Sequence, residues 1–332
     1  MDNKQKVTIP AAQIDREQEG LITTQLPHLH ENILNAIGNT PLVKINFDSP
    51  GSIYAKLEYL NPGGSVKDRS ALYMIEQAEK TGQLKAGGTI IEASSGNQGI
   101  AIAMIGAIKG YKVIITATEK ISDEKLKTIL AYGAQVVICP PTKFIEDPQS
   151  YHSQAVALHA KTPNSYMPNQ YFNKVNADGH QALLGPEIWR QTQGKVTHFF
   201  AGAGTCGTIT GVGRYLKEKN PKIKVFALDS DVSYHTTKGN PQPYKLEGMG
   251  IDWDNTILEQ NVIDEIIPVS DTNALGMLKT LATHYGILAG PSSGAVAYAA
   301  QQYGKYLDKD SIAVMVFGDS GRAYLTKGFY PS

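Results

Sequence analysis

Cysteine is nearly absent: Cys139 and Cys206 stand far apart in 332 residues, without a partner motif. A disulfide scaffold has no support, and neither does a zinc site or any other metal centre. Neither sign of charge is in surplus, since Lys+Arg and Asp+Glu both number 31, and no basic run or tail occurs. That disfavours nucleic acid as a partner. Met1-Asp2-Asn3-Lys4 is not followed by an apolar signal-peptide core, and no uncharged segment approaches membrane-spanning length. The expected compartment is the cytoplasm, with no membrane partner. Against these absences stands a hydrophobic content of 42%, in a chain long enough for a large core and two lobes. Residues 1–27 are polar and irregular, which puts the expected start of ordered chain near His28.

The stretch Asn61-Pro62-Gly63-Gly64-Ser65-Val66-Lys67-Asp68-Arg69 is a turn that delivers Lys67 to a helix, because Ala71, Leu72, Met74, Ile75 and Ala78 follow at helical spacing. The dipole and free amides of a helix N-terminus favour a neutral amine over an ammonium. The site is therefore expected to lower the pKa of Lys67 and make it a nucleophile suited to a Schiff base. The plain alternative is an exposed lysine beside a turn.

Around that turn the chain alternates. A short helix at 32–37 closes on Gly38, extended segments follow at 40–45 and 53–57, and the Lys67 helix stops at Gly82. Strand 89–92, a loop, an Ala-rich helix from Ile100, strand 113–115, helix 123–132 and strand 135–139 then give the βαβ pattern of a parallel sheet covered on both faces. Cys139, ending an apolar strand, reads as packing. The loop Ser94-Ser95-Gly96-Asn97-Gln98-Gly99 offers amides and short polar groups beyond a strand's carboxyl end, enough to hold a small zwitterion. An ordinary βα turn with a helix cap has the same local shape.

The second half repeats the pattern: strand 195–201, the loop Gly202-Ala203-Gly204-Thr205-Cys206-Gly207-Thr208, then a helix from Ile209. Residues 202–207 also spell GxGxxG, and Asp229 ends the next strand, so a dinucleotide site is one reading. Thr205 and Thr208 suit a terminal phosphate better, and with the presented lysine they favour pyridoxal phosphate over nicotinamide. Pro291-Ser292-Ser293-Gly294 opens another Ala-rich helix after helix 275–285. Ser292 is there either a plain N-cap or a hydroxyl facing a pyridine nitrogen, which leaves the ring a moderate electron sink suited to β-elimination. A last strand, 312–317, precedes Gly318-Asp319-Ser320-Gly321.

Six passages carry a family resemblance: Gly38 to Leu42, Asn61 to Arg69, Ser94 to Gly99, Asn169-Gln170-Tyr171, Gly204 to Gly211 and Pro291 to Ala295. Over residues 30–332 the chain resembles the fold-type II pyridoxal-phosphate enzymes of the cysteine synthase and cystathionine β-synthase family. The resemblance implies an α/β fold of the tryptophan synthase β type, with two three-layer αβα domains and the active site between them. Residues 1–29 are then a flexible N-terminal segment and 30–160 the smaller domain, with a crossover near 40–58 joining the larger one. Residues 161–332 form the larger, cofactor-binding domain.

Carried over by position, Lys67 is the Schiff-base lysine and general base. Gly204, Thr205, Cys206, Gly207 and Thr208 hold the cofactor phosphate, with Cys206 in place of a usual glycine. Asn97 meets the ring hydroxyl and Ser292 the pyridine nitrogen. Ser94, Ser95, Gln98 and Gln170 bind the substrate carboxylate, with Tyr171 and Gly248 beside them; Ser94 and Gln98 depart from the usual threonines. The implied reaction is β-replacement on serine or an activated serine by a thiol.

Glu58-Tyr59-Leu60, Tyr171, Gly194 to Phe199, Glu247 to Gly250 and Gly321 to Lys327 are similar to the cystathionine β-synthase branch, which uses homocysteine. Ala289 to Gly294 is more similar to cysteine synthase, which uses O-acetylserine and sulfide. An amine nucleophile, an O-phosphoserine donor, a dinucleotide-binding protein and a non-catalytic phosphate-ligand module are lesser alternatives. Ile251 replaces a tyrosine thought to assist loss of hydroxide, so an activated donor is expected to outrun serine. A homodimer is expected, with neither a haem segment nor S-adenosylmethionine-sensing domains.

Overall fold

The computed structural model describes residues 30–330, so the expected start of order near His28 lies outside the described residues. Two sheets form, as the α/β alternation predicts. The four-stranded sheet contains β3 (Thr89–Ala93), β4 (Lys112–Thr118), β5 (Gln135–Cys139) and β6 (Ser165–Tyr166) in the order β5-β4-β3-β6, all parallel. The six-stranded sheet contains β1 (Leu42–Ile45), β2 (Ser52–Leu57), β7 (His198–Gly202), β8 (Lys224–Ser230), β9 (Glu265–Val269) and β10 (Ile312–Phe317) in the order β1-β2-β10-β7-β8-β9. Only β1 runs antiparallel to its neighbour. Helices α1 (Lys67–Lys80), α2 (Asn97–Lys109), α3 (Asp123–Ala131) and α4 (Tyr151–Lys161) accompany the small sheet. Helices α5 (Val175–Ala182), α6 (Leu184–Gln191), α7 (Gly207–Lys219), α8 (Asp271–Tyr285) and α9 (Pro291–Gly304) follow in the second half.

Continuous apolar strands are what a parallel sheet buried on both faces requires. Along β10, Ala313, Met315 and Phe317 enter one core with Phe200, while Val314 and Val316 enter another with Phe199. The period of two thus feeds a separate core on each face. The strand expected from Lys195 starts only at His198, because Thr197 is held outside the ladder, bonding Ile312 through its backbone and its hydroxyl.

The site is assembled where carboxyl ends of strands converge. The amide of Val66 donates to Gly318 O at 2.8 Å, and single bridges join Ser65 to Asp319 and Ala289 to Ser320. The turn before Lys67 is therefore fastened to the end of β10. Behind it lies a buried ion network: Arg69 on α1 donates to Glu58 Oε2 at 2.7 Å and to Glu187 Oε2, on α6, at 2.9 Å. Lys56 on β2 donates to Glu187 and to Thr40 O.

Candidate active site

A cavity of about 660 Å³ opens between the two sheets. Lys67, Ser94, Ser95, Asn97, Gln98, Gln170, Tyr171, Gly204, Thr205 and Gly248 line it. Of the residues singled out from sequence, Cys206, Gly207, Thr208 and Ser292 lie outside that lining.

Lys67 is the first residue of α1, as expected, and its pKa is lowered. Burial is the main cause, whereas the sequence argument named the helix dipole; the charges of Asp319 and Cys206 act the other way. A desolvated amine is neutral over more of the pH range, which suits a nucleophile and a proton acceptor.

The loop after β3 departs in detail from its expected role. Ser94 Oγ accepts from the amides of Gly96 at 3.2 Å and Gly99 at 2.9 Å, so it caps α2 from outside the helix. Only its proton is left for a ligand. Gln98 was expected to contribute its backbone amide. Its side chain is 1% exposed, and both Nε2 and Oε1 are buried without a partner. Trp253, also on the cavity wall, buries Nε1 unpartnered. Orphaned buried donors and acceptors cost about 1–3 kcal/mol each, so this wall is built for a polar ligand. Gln170 donates from Nε2 to Ala93 O at 3.0 Å and is thereby fixed against β3.

The loop after β7 is the one expected to cradle an anion. Cys206 adopts φ +66°, the left-handed conformation that glycine takes most easily, and its Sγ is buried against Gly204 O. Burial pushes that thiol far up, so Cys206 is an inert spacer. A Cβ on Gly204 would sit 2.7 Å from Gly248 O, so only glycine lets the two loops meet. Ser292 is the second residue of α9, whose N-cap is Gly290, which rules out the plain N-cap reading.

The dinucleotide reading fails at Asp229. This carboxylate is fully buried, and it accepts from the amides of Ser230 and Ile251 and the hydroxyls of Ser233 and Thr236. Nothing is left to meet a ribose. Ile251 packs in the apolar core with Val316 and Phe199 and does not line the cavity. The tyrosines that line the cavity are Tyr151, Tyr171 and Tyr244; the phenol of Tyr151 donates to Tyr171 at 2.8 Å and that of Tyr244 to Asp252.

Sequence reasoning also missed a polar chain behind Asn97. Asn97 Nδ2 donates to Asp319 Oδ2 at 2.8 Å, Tyr324 donates to the same oxygen, and Lys125 Nζ donates to Tyr324 at 2.9 Å and Glu247 at 3.0 Å. Asp319 follows the last strand as Ser94 follows β3, and that position was the available signal.

Beneath the cavity, Glu92 on β3 is fully buried, accepts from the Gln170 amide at 3.3 Å and leaves Oε2 unpartnered. Burial raises its carboxyl to about 8. The folded value exceeds the unfolded one, so the stability it contributes is full below the ordinary Glu range and declines as pH rises towards 8. Glu92→Gln should therefore unfold at a higher temperature than the parent at pH 8 and match it near pH 4.5. Asp68, raised to about 7 chiefly by burial, leaves a parallel slope in the variant. An unchanged melting difference across that range would contradict this.

Fold and site together define an α/β enzyme whose cleft is lined by a lysine of lowered proton affinity and by Gly204 and Thr205 of the loop after β7. The chain belongs to the family described as pyridoxal-phosphate dependent enzyme, whose profile matches residues 33–319. It is 43% identical over 321 residues to a cystathionine β-synthase of Apis mellifera, covering 94% of this chain and 63% of that longer relative. It is 41% identical over 305 residues to a cysteine synthase of Staphylococcus aureus, covering 90% of this chain and 97% of the relative. An O-acetylserine-dependent cystathionine β-synthase from Helicobacter pylori superposes with a TM-score of 0.85 at 36% identity, covering 91% of this chain and 99% of that one.

Proposed function

We propose that this pyridoxal-phosphate enzyme catalyses β-replacement on serine or an activated serine, with homocysteine as the preferred thiol and cystathionine as product. The observation that carries the thiol assignment is the extent of the cleft. Besides Lys67, its lining includes Tyr151, Tyr244 and Trp253 and the exposed Lys120 and Lys245. Among the described residues the ammonium groups of Lys120 and Lys245 form no ion pair, so this part of the cleft can hold a second carboxylate. An amino-acid thiol uses that room and charge, and sulfide uses neither.

The residues present fit the cofactor: a lysine of lowered proton affinity, the Gly204 to Thr208 loop, and the unpartnered side-chain amide of Gln98 on the same cleft. Thr205, Thr208 and the loop backbone would hold the phosphate, Asn97 the ring hydroxyl, and Ser292 the ring nitrogen. When bound, pyridoxal phosphate supplies an electron sink that acidifies the α-hydrogen of a linked amino acid. Lys67 Nζ then takes the α-proton. Ser95 and Gln98 would orient the carboxylate. Burial raises Tyr151 to about 12 and Tyr244 well above its usual value, so both keep their protons across the neutral range.

Thr205→Ala or Thr208→Ala should each weaken cofactor retention by ~1.5–3 kcal/mol, the worth of a charge-assisted hydrogen bond. Titration of the apo protein reads this, and unchanged affinity in both variants contradicts the cradle.

The thiol assignment is tested by competing homocysteine against sulfide with serine, O-acetylserine and O-phosphoserine as donors, comparing kcat/KM for each pair. Homocysteine should win with at least the best donor. Preference for sulfide with every donor would make the enzyme a cysteine synthase, the reading favoured by Ala289 to Gly294 and by similarity to the cysteine synthase of Staphylococcus aureus.

A further inference from the structure

Helix α5 carries Asn176 and His180 four residues apart, hence on one face, and both are buried. That face packs directly on the start of α7: a Cβ on Gly207 would lie 2.2 Å from Asn176 Oδ1, and one on Gly211 2.1 Å from Ala177 O. Each side chain reaches one hydroxyl of the anion cradle. Asn176 Nδ2 lies 3.1 Å from Thr205 Oγ1, and His180 Nε2 lies 3.2 Å from Thr208 Oγ1.

The direction of both bonds can be worked out. Asn176 Nδ2 also donates to Gln170 O at 2.9 Å, and a carbonyl oxygen only accepts. Flipping the amide would set two acceptors against each other, so Asn176 is a donor to Thr205 as well. His180 is fully buried, and its Nδ1 has no partner. Burial, with the charges of Lys67 and Arg69, keeps the ring neutral, so it holds one proton. A proton on Nδ1 would bury an N–H with no acceptor; on Nε2 it is donated to Thr208 and only a lone pair is orphaned.

Resting on the reading of residues 204–208 as the phosphate cradle, we infer that Asn176 and His180 are positioning residues that donate to Thr205 and Thr208 and so turn both threonine protons towards the bound phosphate. A hydroxyl that already accepts from behind has its own proton free for the anion in front. Two hydroxyls that could otherwise face either way become committed donors, which suits a dianion.

The test measures the rate of cofactor loss from holoenzyme and the phosphorus resonance of the bound cofactor. His180→Leu should speed loss about tenfold, the effect of losing roughly one hydrogen bond, and shift the resonance. His180→Gln, whose amide can donate to Thr208, should restore most of both. In a Thr208→Ala background His180→Leu should add little, and the same should hold for Asn176→Leu with Thr205→Ala. Equal acceleration with and without the threonine would overturn the inference by making the role merely structural. No effect of either threonine substitution would instead sink the cradle reading beneath it. Nitrogen-15 resonances of labelled His180 in the unmodified holoenzyme need no variant: a neutral ring protonated at Nε2 supports the inference, and one protonated at Nδ1 contradicts it.

Discussion

Replacing Lys67 with alanine lowers kcat to below roughly a thousandth of the parent value while the protein stays folded. A positioned general base contributes about 10²–10⁴ in rate, and this lysine is also the only group proposed to link covalently to the cofactor. Both roles need the neutral amine. Burial favours it by lowering the pKa from that of a free lysine, against the raising influence of Asp319 and Cys206. Because the truncated side chain faces an open cleft, the packing of α1 is untouched and the loss should be confined to chemistry. Steady-state β-replacement, a thermal melt and cofactor content of the same preparation separate these effects. A folded, loaded variant turning over near the parent rate would remove Lys67 from the reaction.

The second large effect is on stability. Glu187→Ala should cost about 3–5 kcal/mol in urea unfolding, because it leaves Lys56 and Arg69 as buried charges without their shared partner. Lys56 is 0% and Arg69 2% exposed. The guanidinium of Arg69 also binds Glu58 through Nε at 2.7 Å and Nη2 at 2.9 Å, so half the network survives, yet the cation count then exceeds the anion count. Burial alone would push the Glu187 carboxyl up, but Arg69 and Lys56 outweigh it and hold it at about 2. The folded value lies below the unfolded one, so its contribution is present above the ordinary Glu range and fades as pH falls towards 2. A loss under about 1 kcal/mol at neutral pH would contradict the network's role. The network joins β2 and α6 to the helix that begins at Lys67, so its failure should loosen the site as well.

The alternating framework was legible because β3, β4, β5 and β10 are short apolar runs separated by helical periods and Gly-rich turns. The region from 140 to 195 was not. Gly179 and Gly185 look like helix breakers in sequence, but they sit inside α5 and α6 because the side chains of Tyr73 and Tyr215 pack on them, with a Cβ coming within 3.0 Å and 2.7 Å respectively. That reason is tertiary and leaves no local trace. For the site, Lys67 and the three helix-opening loops could be found because a turn before a helix has a local signature. Gln98 could be placed at the cleft, but its orphaned amide could not be foreseen, since orphaning depends on what fails to come near. That Ile251 turns into the core could not be foreseen either, since a loop has no period from which to read which side chain turns inward. Asn176 and His180 were invisible too, because their partners lie 29 and 28 positions away.

The account turns on which lysine carries the cofactor, and the cleft offers Lys67, Lys120, Lys125, Lys245 and Lys327. Borohydride reduction of the holoenzyme followed by peptide mapping decides it. The modification should fall on Lys67 alone, with loss of the visible absorbance band; a modification on Lys125 or another cleft lysine, or none at all, contradicts the account.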